Sequence, residues 1–457
     1  MEILQGFPRQ PLGRPTHLSI GSYDGVHRGH QALVTEMVQA AEADDCLAGV
    51  VTFEPHPLRV LRPSIPLVRL TSDAERAGLL AALGLDLMCV LPFTRETANT
   101  SALDFMRSLV QHMSMRTLWI GPDFALGRGR EGNAERLRRL GVELGYEVVV
   151  VPPFDLDGGP VRSSRIRTLL ADEGSVRSAA ELLGRPYQVW GDVKHGAHRG
   201  RSLGFPTANL DVSPDRLIPA HGVYACWAWR ESTRVNGLMR GYPAVVNVGV
   251  RPSFGGGSPS TEAFLLDFEG DLYGETMGLS FIERLRGEQR FPDIGALVGQ
   301  IRSDVDQARQ ILASPSTRHG VSGNGGWEEL RHTADWAVRV TGDSPRELFA
   351  RAASAMFTLQ DADATRSISL AHAVDLEAAD LSQLMVAWLN ALLLGQELGG
   401  ELYTAFEISE ISPRGLRAVA YGYAGRPAHT AVKAVTYYDL NVVETAEGWW
   451  ATVTFDV

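Results

Sequence analysis

Between Thr16 and Phe154 the chain alternates short apolar runs with stretches whose apolar residues recur every three or four positions. The runs are HLSI (17–20), LAGVVTF (47–53), LMCVLPF (87–93), TLWIGPDF (117–124) and EVVVVPPF (147–154). RAGLLAALG and NAERLRRLGVELG are among the helical stretches between them. Strand, helix and strand in repetition predict an α/β unit, a parallel sheet with helices on its faces. Past Gly184 the texture changes. YQVWGDV, GVYACWAW, PAVVNVGV, EAFLLDF and MGLSFIERL are short and broken by Gly, Pro and Asp turns, the pattern of a small antiparallel β-barrel. Leu297, Ile301, Val305 and Ala308 mark a closing helix over 294–312. The polar stretch ASPSTRHGVSGNGG (313–326) reads as a linker. Beyond it lies an α+β unit: a β stretch over 331–341, helices over 346–358 and 380–396, and a strand-rich end. Asp343-Ser344-Pro345 suits the cap and first turn of the earlier helix. The expected division is 1–183, 184–312, a linker at 313–327, and 328–457.

A chain of 457 residues with 44% hydrophobic content is long enough for several packed cores. Cys46, Cys89 and Cys226 lie far apart with no CxxC spacing, which argues against a disulfide framework and for a reducing, cytoplasmic setting. The opening MEILQGFPRQPLGR has no basic head followed by an apolar run, so no signal peptide is expected. The most apolar segment, Leu384 to Leu394, is too short to span a bilayer and contains Asn390; a core helix is expected there and no membrane association. The net charge is -11, and from Glu328 onward 18 acids face 9 bases. Direct nucleic-acid binding is therefore not expected, whereas cations or a basic partner fit the C-terminal third.

GSYDGVHRGHQALV (21–34) lies where the first strand hands over to a helix. Ligands of open parallel sheets bind at the carboxyl ends of strands. Glycines let backbone approach a phosphate, and the following helix offers free amides. His27 and His30 are one turn apart and share a face. Three readings fit them locally: surface histidines at a turn, two zinc ligands without partners at the usual spacing, or N–H donors for charge building on an attacked α-phosphate. Three further stretches favour the last, an adenylyl transfer: VTFEPHPL (51–58), IGPDFALGRGREG (120–132) and VRSSRIRTLL (161–170). The last places Ser163, Ser164, Arg162, Arg165 and Arg167 before a helix, donors suited to a departing pyrophosphate.

In this order the four stretches resemble the adenylyltransferase half of bacterial-type bifunctional riboflavin kinase/FAD synthetases, over roughly 15–182. The resemblance implies a Rossmann-like nucleotidyltransferase fold. It implies that His27 and His30 act at the α-phosphate, and that Gly21, Tyr23, Asp24, Gly25 and Gly29 form the nucleotide loop. Asp123, Phe124 and Arg128 would shape the nucleotide or flavin pocket, and Ser163, Ser164, Arg165 and Arg167 would face the β and γ phosphates. Tyr23 replaces the family's usual Phe, and Arg162 stands where a small hydroxyl residue is common.

HGAHRGRSLGFPTANL (195–210) is rich in Gly and Arg, which suits phosphate binding, but lacks the Lys-Ser/Thr of a Walker loop. A Gly-rich turn before a core strand is the other local reading. Thr207 and Asn209, two apart on a strand, share a face and suit Mg²⁺ and phosphate oxygens. With HGVYA, VVNVGVRPSF, TEAFLLDFEGDLYGE and LRGEQRF, the segment 183–312 resembles the riboflavin kinase half of the same family. This implies Glu262 as the base for the ribityl 5′-hydroxyl. It also implies Thr207 and Asn209 at Mg²⁺ and ATP, and phosphate contacts from Gly200, Arg201, Gly204 and Pro206. Phe264 stands where His is usual and Gln289 where Lys is common. The substrates and products implied are riboflavin, ATP, FMN and FAD, with Mg²⁺ at both sites.

HTAD (332–335), the AWLNALL helix, KAVTYY and the terminal FDV resemble archease, a small protein that assists an RNA-splicing ligase, over about 328–457. The resemblance implies a metal site at Asp335 and Asp456, for which oxygen ligands suit Ca²⁺ or Mg²⁺, and a ligase as partner. A cap at Asp335 and a solvated chain end at Asp456 are the alternative. Tyr438 stands where archeases usually have His.

Overall fold

The structure is a computed structural model. It describes residues 1–64, 67–195, 203–250, 259–313, 326–330, 336–425, 427, 432–437, 440–445 and 448–457. Two compact units are present, one built mainly of Met1–Arg167 and the other mainly of Arg185–Ser213 and Ile218–Val457.

The first unit is a six-stranded parallel sheet in the order β1-β4-β3-β2-β5-β8. Its strands are β1 (Glu2–Gln5), β2 (Thr16–Ile20), β3 (Leu47–Glu54), β4 (Leu87–Pro92), β5 (Met115–Ile120) and β8 (Glu147–Val150). Two-residue strands β6 (Ala125–Leu126) and β7 (Gly132–Asn133) pair in the loop after β5, and β9 (Asp155–Leu156) pairs with β10 (Gly159–Pro160). The five strands expected from the apolar runs are present. β1 is an addition: it pairs in parallel with β4, Glu2 opposite Leu87, and carries no alternating pattern to announce it.

Each face of the sheet has its own core. One is covered by α5 (Ala102–Met113) and α6 (Ala134–Leu144), through Phe105, Met106, Leu109, Leu137 and Leu140. The other is covered by α1 (Arg28–Ala43) and α3 (Asp73–Ala82), through Val34, Met37, Leu79 and Leu80. Ser72 and Glu75 form a reciprocal capping box on α3. The short helices α2 (Pro57–Leu61), α4 (Arg95–Ala98) and α7 (Ser163–Thr168) sit in the connections; α8 (Val176–Leu183) belongs mostly to the second unit. β2 lies between β3 and β5, where the strand order reverses, so the loop after β2 opens at the switch point of the sheet.

The second unit contains a closed six-stranded antiparallel barrel, β13-β16-β11-β12-β15-β14, with β14 pairing back onto β13. The strands are β11 (Tyr187–Lys194), β12 (Ala208–Val212), β13 (Gly222–Arg230), β14 (Leu238–Val250), β15 (Pro259–Leu265) and β16 (Thr276–Arg286). Closure removes the free edges that an open sheet of this length would expose. Helix α9 (Ile294–Leu312) has the bounds that its apolar spacing predicts, and Asp293 caps it.

The remaining chain adds β17 (Trp327–Leu330), β18 (Trp336–Gly342), α10 (Pro345–Leu359), β19 (Leu370–Glu377), α11 (Leu381–Gly399), β20 (Glu401–Ser412), β21 (Gly415–Ala424), β22 (Ala434–Thr436), β23 (Val442–Thr445) and β24 (Gly448–Asp456). The apolar run expected to be a core helix is α11: Leu384, Met385, Trp388, Leu389 and Leu392 are fully buried. Asn390 is satisfied within it, accepting from Val435 N at 3.0 Å and donating to Val435 O at 3.4 Å.

This segment does not stand apart from the barrel. β19 pairs with β14, and β21 and β20 continue outward, so one sheet of nine strands runs through both. The cause is geometric. β14 is 13 residues long, whereas its pairing with β15 begins only at Ala244. Residues 238–241 therefore present a free edge, and β19 takes it. Most of the expected linker lies outside the described residues.

Candidate active sites

The chain leaves β2 at Gly21, whose N–H donates to Val51 O at 3.0 Å. Tyr23, Gly25 and Val26 then take positive φ values of 50°, 86° and 38°. At Gly25 a side chain is excluded, because a Cβ would lie 2.9 Å from Leu70 Cδ1. This contorted turn delivers His27 to the N-cap of α1, where Nδ1 accepts from His30 N at 3.3 Å. An accepting Nδ1 places the proton of the neutral ring on Nε2, which becomes a donor. The His27 and His30 rings stack 3.7 Å apart at 14°, and Tyr23 lies 5.1 Å from His30. Burial lowers the His30 pKa to about 4, and its Nδ1 is buried without a partner. His30 is therefore a neutral imidazole at pH 7, held where an anionic ligand would raise its affinity for a proton.

Asp24 has a different position from the one its place in the motif suggested. It is 3% exposed and turned away from the loop surface. Its carboxylate accepts from Leu70 N at 2.9 Å, Thr71 N at 3.1 Å and Thr71 Oγ1 at 3.2 Å, and is paired with Arg167. Ser163 Oγ donates to Asp24 O at 2.8 Å. Arg165 Nη1 donates to the carbonyls of Leu156 and Gly159 at 2.9 and 3.1 Å. Ser163 and Arg167, both expected at phosphates, thus tie the SSRIR segment to the histidine loop in the free protein, while Arg165 ties it to the β9–β10 hairpin. Asp24 cannot itself hold a phosphate, because like charges repel and its lone pairs are committed.

Arg162 pairs with Asp123 at 2.6 Å, joining the loop after β5 to the same segment. Arg128, Asp123 and Ser164 are exposed, and Phe124 packs against the core. Sequence reasoning passed over a second layer beneath the loop. Thr71 Oγ1 accepts from Gly25 N at 3.0 Å, and Arg76 donates to Ser22 O at 3.1 Å. Arg69 binds both oxygens of Glu54 at 2.8 Å and Asp73 at 2.8 Å. His56 of the TFEPHP stretch caps α2, and burial, aided by Arg167, Arg69 and Arg76, lowers its pKa to about 4. Of this layer only Glu54 and His56 lie in a recognisable stretch, TFEPHP; their partners are dispersed in sequence.

In the barrel two of the candidate residues lie in one row that crosses three strands. Asn209 on β12 faces Glu262 on β15, and Glu262 faces Asn247 on β14. Directly opposed residues project from the same face of the sheet. Asn209 is buried, Glu262 half-buried and Asn247 exposed, so the row climbs from core to surface. Thr207 is half-buried just before β12, Pro206 and Gly204 are exposed, and Gly204 has φ +87°. Phe264 meets Phe205 edge to face at 5.5 Å. The Tyr273 ring of the DLYG run stacks on His195 at 3.8 Å. Glu275 binds Arg230 and Ser232 Oγ, and the Arg230 bond holds its carboxyl below the usual range. Asn247 belongs to this row and is absent from the sequence expectation. Gly200 and Arg201 lie outside the described residues.

Three family models match this chain: FAD synthetase over residues 10–165, riboflavin kinase over 183–312, and the archease protein family over 327–457. A bifunctional riboflavin kinase/FMN adenylyltransferase of Pseudomonas fluorescens is 37% identical over 319 residues, 69% of this chain and 99% of the relative. The chain belongs to the bifunctional riboflavin kinase/FMN adenylyltransferase family. The Escherichia coli K12 member is 36% identical over 297 residues, 65% of this chain and 92% of the relative. A solved structure described as a macrolide-efflux protein from Streptococcus pneumoniae is 30% identical with a TM-score of 0.61, covering 67% of this chain and 98% of that one. Among the described residues no helix is long and apolar enough to cross a membrane. The protein phosphorylates riboflavin to FMN with ATP and adenylylates FMN to FAD with release of pyrophosphate.

In the archease-like segment Asp456 is exposed near the end of β24, beside Lys433, whose N donates to Asp456 O at 2.8 Å. Asp335 and Tyr438 lie outside the described residues. Among the described residues no group of three His, Cys, Asp or Glu side chains gathers as a metal site.

Proposed function

We propose that the two reactions are divided between the two sites just described. In the first, the His27 Nε2–H and the His30 ring receive the negative charge that builds on the ATP α-phosphate as the FMN phosphate attacks. His30, neutral when the site is empty, takes up a proton as the polyphosphate arrives and returns it when pyrophosphate leaves. Ser164, Arg128 and the Gly21–Gly29 loop contact nucleotide. Asp24, Arg167 and Ser163 position the loop from below.

In the second, Glu262 accepts the ribityl hydroxyl proton while the oxygen attacks the γ-phosphorus, and the P–O bond to ADP breaks. Asn209 beside it and Thr207 before it supply neutral oxygen donors. With a carboxylate and phosphate oxygens these make a hard donor set that suits Mg²⁺. The metal would offset charge on the transferring phosphoryl group. The observation that carries this reading is the direct opposition of Asn209 and Glu262 on adjacent strands. Thr207→Val tests it: the Mg²⁺ concentration at half-maximal kinase rate should rise, while that of adenylylation stays fixed. An unchanged Mg²⁺ requirement contradicts it.

The resemblance of the C-terminal segment to archease also supports an RNA-splicing ligase as partner and a divalent cation at Asp335 and Asp456. Calorimetric titration of the full chain with Ca²⁺ and with Mg²⁺, repeated on Asp456→Asn, tests the cation site.

A further inference from the structure

The barrel and the archease-like segment share more than strand pairing. Leu238, Met239, Arg240 and Gly241 of β14 lie opposite Val374, Ala373, His372 and Ala371 of β19. β14 is launched by an Asn236-Gly237 turn with φ values of 48° and 79°, and Asp375 N donates to Gly237 O at 3.0 Å. A Cβ at residue 237 would lie 2.3 Å from Asp375 O, so a glycine is needed for the strands to meet. Apolar packing crosses the same line. Trp227, Trp229 and Met239 of the barrel, Ala308 and Leu312 of α9, and Ala371 and Tyr421 of the C-terminal segment form one buried cluster. The Trp227 and Tyr421 rings are 5.9 Å apart. Leu238 belongs to the core of the C-terminal segment, with Val374, Trp388 and Tyr403. Arg240 approaches the buried Glu401 at 3.9 Å, and Glu401 accepts from Tyr403 OH at 2.8 Å. Neither half covers its own apolar surface at this seam.

We propose that the archease-like segment has a second function within the chain: it is a structural subunit of the riboflavin kinase. β14 is the means. Its first residues are pinned by β19, and its later residues hold β15 in register, Asn247 opposite Glu262. Fixing one end of a paired strand limits the positions available to the other. The Pseudomonas fluorescens relative is covered to 99% of its length by 319 residues, so its kinase has no such segment to rely on. The dependence belongs to this chain, whose barrel buries Leu238 and Met239 against the addition. The idea rests on Glu262 acting in the kinase reaction, and the tests separate the two.

Hydrogen exchange on the full chain, with and without riboflavin, ADP and Mg²⁺, gives the first test. Ligand is expected to slow exchange in β14 and onward in 370–377 and 415–424; protection that stops at β14 overturns the proposal. The second is Ala371→Asp, which buries a carboxylate among Trp227, Trp229 and Met239. Riboflavin phosphorylation should fall about ten-fold or more, through local opening or loss of the barrel, with FMN adenylylation within about two-fold of the parent. Kinase turnover equal to the parent's overturns it. Glu262→Gln, by contrast, should stop phosphorylation and leave exchange at the seam unchanged. Retained activity in that variant would refute the base and not the seam, which Ala371→Asp still reads.

Discussion

The two sites are built by opposite means. In the parallel-sheet unit, residues from four separate stretches converge on loops and are fastened by ion pairs across long spans of chain; Asp24 and Arg167 are 143 positions apart. In the barrel, Asn209, Glu262 and Asn247 are aligned simply because their strands are neighbours. A loop-built site depends on what lies beneath it. A strand-built site depends on register. Damage should accordingly spread differently in the two.

The largest expected effect is local to the barrel. Glu262→Gln should cut FMN formation by about 10²–10⁴-fold and leave FAD synthesis from supplied FMN unchanged, as two single-step chromatographic assays would show. Somewhat smaller is the loss of one donor in the loop: His27→Ala or His30→Ala should lower adenylylation by about 10²–10³-fold, with riboflavin phosphorylation intact.

The contrast is sharpest at Asp24, whose carboxylate is bonded to the layer beneath the loop. Asp24→Asn leaves Arg167 facing a neutral amide and loosens Leu70 and Thr71. It should destabilise the first unit by about 3 kcal/mol in denaturant unfolding. Adenylylation should drop by about ten-fold or more through a lower kcat, with the kinase unaffected.

Near neutral pH the smallest effect is that of pH itself. Burial lowers the His30 and His56 pKa values from 6.5 to about 4. Below pH 6.5 the unfolded chain binds protons that the folded one refuses at these two rings, so their contribution to stability should fall between pH 6.5 and about 4. Thermal melts across that range check the sign, and His30→Gln should make the slope shallower. ATP binding near pH 6 should take up a fraction of a proton, seen as a dependence of binding heat on the buffer's ionisation enthalpy.

Local pattern carried much of this architecture. Apolar runs marked five parallel strands, a 3.6-residue spacing set the bounds of α9, and Leu384–Leu394 declared itself a core helix. His27, His30, Glu262, Thr207 and Asn209 could be singled out as candidates because their motifs are contiguous. What escaped was non-local. β1 has no periodicity, and joins the sheet only because β4 offers an edge. The commitment of Asp24 to Arg167 depends on how two loops fold back, which residue type does not report. The seam between β14 and β19 escaped because a strand pattern says which face is buried but not which strand lies alongside. Asn236-Gly237 was its one local signal, a two-residue turn placing Leu238 at the start of a strand longer than its apolar run.

The central claim is that one chain carries two chemically independent centres. It is tested most directly by supplying riboflavin, ATP and Mg²⁺ to the full-length protein with both histidines replaced, His27→Ala with His30→Ala, and following the flavins in time. FMN should accumulate at the parent's rate with FAD formation lowered at least as far as by either single replacement. FAD appearing at the parent's rate, or FMN failing to appear in a folded protein, would contradict the division of labour.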